Sequence, residues 1–311
     1  MADATVLGTH RQFSALLPWG MAFAVPTVPE NVQVAVLAIG VVCLGLPHGA
    51  LDHLVARPAL VPRWGRAWLP LFLLAYLGLA AVALAAWIWL PAVTLLAFLA
   101  LSVVHFGGDA SDGEKPSPAA VMAWGGAPVI LPCWFHPAEV AAVFDLLVVG
   151  GDEGGLESIV RGAALPALLL WSAAVLWHHR GLLYRIDRAQ GLSLATLVGL
   201  VVLFARLPPL MAFAIYFCGI HSLRHLLELR SEVPAAQAAR PGRWLVFQAA
   251  PLTLATVGLA LLAGPALTAD LQLSEAVLRL VFWGLAALTV PHMLLLLWWH
   301  ADRASGREAA G

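Results

Sequence analysis

Charged residues are scarce in this chain, and lysine is almost absent. Asp, Glu, Lys and Arg together make up 11% of the 311 residues, and Lys115 is the only lysine. An opsin that holds retinal as a Schiff base is excluded, because it needs a lysine inside the membrane. The formal net charge of −1 also argues against a nucleic-acid partner, which would favour a strongly basic surface.

Cysteine is also scarce, and the few cysteines are scattered. Cys43, Cys133 and Cys218 each lie in an apolar segment, and no two of them have the CxxC spacing. Disulfides and thiolate metal sites are therefore not expected. The N-terminus has no basic region followed by a small-residue cleavage site, so we expect it to remain uncleaved.

Long apolar runs are what the chain has in abundance. Hydrophobic residues make up 61% of the sequence, which is more than a soluble protein can bury. A helix needs about 17 to 25 apolar residues to span a bilayer, and the sequence accordingly predicts an all-α, polytopic transmembrane bundle of roughly eight to ten helices. The predicted spans are 32–55, 66–90, 91–106, 118–135, 156–179, 192–207, 210–230, 244–262 and 276–299.

Three segments complete the predicted organisation. Residues 1–30 form an N-terminal segment whose apolar run, 13–25, is short enough to be an interfacial or half-spanning helix. Residues 31–300 form the transmembrane helical domain that carries the chemistry, and residues 301–311 form a tail. Within the domain, two glycines and two prolines are expected to interrupt the span 118–135.

Four basic clusters determine the predicted orientation. They lie at residues 57–66, 180–188, 230–243 and 303–307, whereas the loop 264–275 has no basic residue. Following the spans along the chain places all four clusters on one side of the membrane, which the positive-inside rule makes the cytoplasm. We therefore expect a multi-pass protein of the cell membrane with a cytoplasmic C-terminus.

Five histidines from four predicted helices share one depth in this topology. His221 and His225 are four residues apart, which stacks their imidazoles on one helical face. His48, His105 and His292 each lie in the cytoplasmic half of their own span. Ionisable residues at membrane depth usually mark functional sites, and a neutral imidazole is a common metal ligand. The pattern predicts a histidine-ligated metal site; hydrogen bonding between neighbouring helices is the alternative.

Carboxylates follow two of these histidines at i+4. Asp52 follows His48, and Asp109 follows His105. A carboxylate that accepts a hydrogen bond from the free ring N–H fixes the tautomer of a ligand histidine, and we expect Asp52 to serve His48 in this way. Two glycines before Asp109 tend to end its helix, which weakens that second pairing. A salt bridge to a loop arginine is the alternative for both.

The other histidines are expected outside the site. His178, His179 and His300 adjoin basic ends and are expected at the membrane interface. His10 and His136 lie in terminal or loop segments and are expected to be solvated.

Four motifs, in this order, carry a resemblance to a known family. They are PHGALDH at 47–53, HFGGD at 105–109, HSLRH at 221–225 and PHM at 291–293. Together they resemble the Brp/Blh family of membrane β-carotene 15,15′-dioxygenases, over nearly the whole chain. The resemblance implies an enzyme that binds one ferrous iron and uses O₂ to split β-carotene at its central double bond into two molecules of retinal.

The resemblance also implies roles for particular residues and partners. The iron ligands would be the histidines of the first three motifs, His48, His105, His221 and His225. Asp52 and His292 match the family's aspartate and late histidine and would be catalytic. The implied substrate is β-carotene or a related carotenoid taken from the lipid bilayer, and a microbial rhodopsin would consume the product.

Three other functions compete with this interpretation. A di-iron desaturase or hydroxylase would need about eight histidine ligands in HxxxH and HxxHH boxes, but only the HxxxH at His221 and His225 is present. A metal or proton transporter usually shows repeated halves, and we find no internal repeat. A di-haem cytochrome would need paired histidines on two helices.

Overall fold

The computed structural model describes residues 2–108, 116–148, 155–184, 187–232 and 243–308. Every regular element within these ranges is a helix. Seven helical stretches of the described chain are long and apolar enough to cross a membrane. They are Glu30–Trp89, Pro118–Phe135, Leu156–His178, Arg188–Arg206, Pro209–Leu229, Arg243–Leu267 and Leu273–Trp299, and the shorter Pro91–Gly107 is also apolar. The predicted all-α, polytopic class is confirmed.

The helices are numbered in chain order. They are α1 Ala2–Ala24, α2 Glu30–Gly40, α3 Leu46–Ala50, α4 Asp52–Trp64, α5 Trp68–Trp89, α6 Pro91–Gly107, α7 Pro118–Phe135, α8 Pro137–Leu147, α9 Gly155–His178, α10 Arg188–Arg206, α11 Pro209–Ala214, α12 Leu223–Glu232, α13 Arg243–Leu267 and α14 Leu273–Glu308. Two π-helical segments, π1 Val41–Gly45 and π2 Ile215–Ser222, lie within the spans.

The chain divides into two compact units. Unit 1 comprises Met1–Val41 and Pro91–Leu227, and unit 2 comprises Val42–Leu90 and Glu228–Gly311. Unit 1 therefore contains α1, α2, α6 to α11 and π2. Unit 2 contains α3, α4, α5, α13 and α14.

Helix α7 lies at the centre of unit 1, in contact with α6, α8, α9 and α10. A Cβ atom at Gly125 of α7 would clash with the carbonyl oxygen of Val103 in α6, and one at Gly107 of α6 would lie 2.5 Å from Cγ1 of Val121 in α7. On another side, Nε1 of Trp171 donates a hydrogen bond of 2.9 Å to the carbonyl of Ala123. Small residues allow membrane helices to pack this closely, because lipid provides no hydrophobic force between them.

Helix α14 organises unit 2 by packing along α5 and against α4. A core cluster joins Ala56 and Leu60 of α4, Phe72 of α5 and Leu295 of α14. Nearer the other end of α5, the rings of Trp87 and Trp283 stack with centroids 5.8 Å apart. Helix α13 packs against the short α3.

Proline and capping residues determine where several helices begin. Pro91, Pro118, Pro137 and Pro209 each stand at the first position of a helix, where the missing N–H costs nothing. The side chain of Ser117 accepts a hydrogen bond from the backbone N–H of Ala120 and caps α7.

The structure corrects one expectation about helix continuity. Helix α7 runs without a break through its glycines and prolines, because close neighbours on several sides support its backbone. Helix α1 begins at Ala2, well before the apolar run 13–25. The spans 32–55 and 210–230 do form, but π1 and π2 divide them.

Candidate metal-binding residues

Three histidines of unit 1 form a compact cluster. His105 lies near the end of α6, His221 in the last turn of π2, and His225 in α12. The Nε2 atoms of His105 and His221 are 2.9 Å apart. The ring centroids are separated by 4.5 Å for His105 and His221, 5.0 Å for His221 and His225, and 6.0 Å for His105 and His225. The predicted convergence of these three side chains is present in the structure.

The π2 segment shapes the chain at His221. Eight residues, Ile215–Ser222, follow π-helical geometry before α12 resumes the α-helix. Such π-helical segments are rare and frequently occur at functional sites, because the wider turn redirects the side chains that follow it. Although the π-helical segment ends just after His221, the rings of His221 and His225 remain adjacent.

Aromatic rings enclose His221 on its apolar sides. The ring of Phe106 meets the imidazole edge to face at 4.8 Å, and that of Phe217 stacks on it at 5.7 Å. Phe213 in turn stacks on Phe217 at 5.5 Å. His221 is fully buried. This apolar shell excludes water from the imidazole and limits its orientation.

A second group of polar side chains lies in unit 2. The rings of His48 in α3 and His292 in α14 are 5.6 Å apart and nearly perpendicular. Nδ1 of His292 lies 2.9 Å from each carboxylate oxygen of Asp52, and the hydroxyl of Tyr76 in α5 donates a hydrogen bond of 2.8 Å to Oδ2 of Asp52. A carboxylate in its ionised form only accepts, so such a carboxylate at Asp52 would take its hydrogen bond from an N–H at Nδ1 of His292.

The contacts of Asp52 show where sequence spacing was insufficient. Spacing at i+4 predicted that Asp52 would orient His48, but Leu51 forms a turn between α3 and α4 and Asp52 instead bonds to His292 and Tyr76. Tyr76 was missed altogether. The available signal was a polar hydroxyl in an otherwise apolar helix, in a chain with only three tyrosines. Asp109 lies outside the described residues.

The predictions for His10 and His136 were wrong. His10 is buried in α1, with Nδ1 3.4 Å from the hydroxyl of Ser14. His136 is partly buried, and its Nε2 lies 2.7 Å from the carbonyl oxygen of Phe204 in α10. Both residues become enclosed by helices, because α1 extends to Ala2 and α8 begins directly after His136.

The histidine geometry fits a metal ion. With a metal–nitrogen bond of about 2.1 Å, an ion would lie about 3.2 Å from each ring centroid, so two rings that held one ion would have centroids roughly 4.5 to 6.4 Å apart. The four measured separations, 4.5, 5.0, 5.6 and 6.0 Å, all lie in this interval. Nitrogen donors without thiolate suit a divalent first-row metal such as iron.

These features define a class of protein: a multi-pass membrane protein with buried histidine clusters that can bind metal. Comparison with known proteins then identifies the family. The family model for beta-carotene 15,15′-dioxygenase matches residues 39–300. No solved structure matches the chain.

Two curated relatives cover most of the chain. The chain is 35% identical over 263 residues to the beta-carotene 15,15′-dioxygenase of uncultured marine bacterium 66A03, which covers 82% of this chain and 90% of the relative. It is 28% identical over 315 residues to the probable beta-carotene 15,15′-dioxygenase Blh of Halobacterium salinarum, with 90% and 87% covered. The chain therefore belongs to the β-carotene 15,15′-dioxygenase family and is an enzyme, as the four motifs predicted.

Proposed function

We propose that this enzyme cleaves β-carotene at its central 15,15′ double bond with O₂ and releases two molecules of retinal. The observation that carries the proposal is the family match over residues 39–300, in a membrane protein whose histidines have metal-binding geometry. The reaction balances without another reductant. The double bond breaks, each of its carbons receives one atom of O₂, and the bond supplies the electrons.

We further propose a single ferrous iron, with His48, His105, His221 and His225 as its ligands. The 2.9 Å between Nε2 of His105 and Nε2 of His221 supports this set, since both nitrogens are close enough to bind one ion and would hold it together. When bound, the iron would supply the activation of O₂. Asp52 and His292 complete the proposed catalytic residues, and the carboxylate orients the imidazole through Nδ1.

The membrane setting suits a substrate that is insoluble in water. A C₄₀ polyene is about as long as the roughly 30 Å hydrocarbon core, so it can enter between helices directly from lipid. The aromatic shell of Phe106, Phe213 and Phe217 keeps water away from His221, which protects a reactive site from side reactions.

The cellular context is part of the proposal. We place the enzyme in the cell membrane, with residues 31–300 as the catalytic domain and a cytoplasmic C-terminus. A microbial rhodopsin would take up the retinal.

The test is cleavage by the purified protein. In detergent with Fe(II), O₂ and β-carotene, but without NAD(P)H or a redox partner, we expect two retinals per carotene and no longer apocarotenals by chromatography. An unequal pair of aldehydes would refute central cleavage. A requirement for an added reductase would refute the dioxygenase reaction and favour a desaturase or hydroxylase.

A further inference from the structure

A chain of two buried side chains and one partly buried side chain joins three helices of unit 2. The hydroxyl of Tyr76 in α5 donates to Oδ2 of Asp52 at 2.8 Å, and both oxygens of Asp52 lie 2.9 Å from Nδ1 of His292 in α14. The Tyr76 oxygen also lies 3.4 Å from the backbone carbonyl oxygen of Leu288, one turn before His292. Asp52 and His292 are 4% and 5% exposed, so solvent takes no substantial part in these contacts.

Tyr76 uses its hydroxyl differently from several other helix hydroxyls in the described part of the chain. Several other buried or half-buried hydroxyls donate to the carbonyl four residues earlier in their own helix, and these bonds do not link one helix to another. They are Ser102, Thr196, Thr256, Thr268 and Thr289. Tyr76 instead donates to a carboxylate on another helix.

A carboxylate bonded to one ring nitrogen of a histidine is a common feature of metal sites. A histidine that binds metal usually donates its other ring N–H to a carboxylate, which fixes the tautomer and the ring orientation and makes the ligating nitrogen a better donor. His292 makes that contact through Nδ1, which leaves Nε2 as the nitrogen with a lone pair. Its ring lies 5.6 Å from that of His48, within the roughly 4.5 to 6.4 Å expected for two imidazoles on one ion.

We propose that Tyr76 is a positioning residue for the metal centre, which acts through Asp52 to hold His292 as a metal ligand beside His48. The inference rests on the proposed iron site and adds a ligand to it. Tyr76 limits the rotation of the Asp52 carboxylate by occupying Oδ2, and the carboxylate limits the rotation of the imidazole. Without the hydroxyl, Oδ2 of Asp52 loses a donor and the imidazole loses a fixed partner.

The test is the metal affinity of Tyr76→Phe, which removes the hydroxyl and keeps the ring. We expect Fe(II) affinity, measured by competition with a chelator, to fall, with the roughly 10 to 100-fold loss caused by removing the direct partner of a ligand as the upper bound. In Co(II)-substituted protein, the visible absorption bands should shift in Tyr76→Phe and shift further in His292→Ala. The rise in melting temperature on adding metal should shrink by more than any change in the melting temperature of the metal-free protein.

Thr289→Val is the matched control. Thr289 lies in α14 three residues before His292, but its hydroxyl bonds only to the carbonyl of Leu285 in its own helix. Its metal affinity and Co(II) spectrum should equal those of the wild type. Equal weakening of metal binding in Thr289→Val and Tyr76→Phe would overturn the inference, because general loosening of α14 would then explain both.

Other outcomes separate this inference from the proposed function. Wild-type affinity and an unchanged Co(II) spectrum in Tyr76→Phe would refute the positioning role while leaving the iron site intact. A wild-type protein that binds no iron would refute the proposed site and the inference with it. If Tyr76→Phe does not fold, Asp52→Asn, which has nearly the same shape, carries the same expectation and the same refutation.

Discussion

At the scale of single residues, His221 is the most enclosed of the candidate ligands. Its ring is fully buried, lies 2.9 Å from His105 through the two Nε2 atoms, and is covered by Phe106 and Phe217. These contacts restrict the imidazole to its position among the neighbouring histidines. Removing it therefore removes a nitrogen donor from the centre of the cluster.

We expect His221→Ala to lose its iron, as measured by elemental analysis of the purified protein, and to lose carotene cleavage with it. His136→Ala is the control, since it removes a histidine of the same unit whose Nε2 contacts the backbone carbonyl of Phe204 and whose Nδ1 lies 3.4 Å from Oε1 of Glu139. The control should keep its iron and lose about 1 kcal/mol of stability, the usual value of one hydrogen bond. Iron retained in His221→Ala would contradict the ligand set.

His179 gives the chain a pH-dependent contact just beyond the end of α9. Nδ1 lies 3.0 Å from the carbonyl of Val175 and Nε2 lies 3.1 Å from the hydroxyl of Ser193. Burial lowers the pKa of His179 below its ordinary value. The folded protein therefore binds this proton more weakly than the unfolded chain does.

The stability that His179 contributes should be fully present above pH about 6.5, the ordinary pKa of the unfolded side chain. It should be lost as the pH falls through the lower pKa of the folded state, because protonation favours unfolding. Melting temperatures in detergent between pH 8 and pH 5 measure this effect. In His179→Gln the melting temperature should fall less at acid pH than in the wild type. An identical fall in the two proteins would show that other groups cause it.

At the scale of elements, the contact between α6 and α7 determines the position of His105. Gly107 stands two residues after His105, and a Cβ atom there would press on Val121. Gly125 lies against the carbonyl of Val103, two residues before His105. A methyl group on either glycine would force the two helices apart at the level of the histidine.

We expect Gly125→Ala to destabilise the protein by about 1 to 3 kcal/mol, the usual cost of overpacking. Because the displaced helix carries His105, iron content should fall as well. Gly162→Ala in α9 is the matched control, since a Cβ atom there meets nothing within 4 Å and the residue is exposed. Thermal unfolding and iron analysis of both variants provide the test, and equal values for the two would contradict the packing argument.

At the scale of the whole molecule, orientation in the membrane follows from the basic clusters. Arg57, Arg63 and Arg66 lie in or just after α4 and are exposed, whereas the turn before α14 carries no basic residue and exposes Gln272. The positive-inside rule places the first group in the cytoplasm. Reagents should therefore reach the two ends of unit 2 from opposite sides of the membrane.

Single cysteines in a background without Cys43, Cys133 and Cys218 test this orientation. In intact cells, Gln272→Cys should react with a membrane-impermeant maleimide, and Arg66→Cys should react only with a permeant one. Both positions belong to unit 2 and are exposed, so the two cysteines should react equally well with a maleimide that reaches them. Labelling of Arg66→Cys from outside would reverse the topology and remove the argument that the histidines share one depth.

The sequence by itself determined the membrane class, the approximate spans and which histidines are candidate metal ligands. Apolar content adds up along the chain, so a run such as 118–135 is recognisable without knowledge of its neighbours. The helix starts at Pro91 and Pro118 are local in the same way, because proline fixes its own backbone and lacks its own N–H. The pair His221 and His225 was predictable because four residues make about one helical turn.

Only the tertiary structure decided the partners of Asp52, the inclusion of Tyr76, and the enclosure of His10. Asp52 and His292 are 240 residues apart in sequence, and Asp52 and Tyr76 are 24 apart on different helices. Periodicity within one helix says which face a side chain occupies, but not which other helix packs on that face. A buried carboxylate in a membrane must take the donors that this packing provides, since no water is present to replace them.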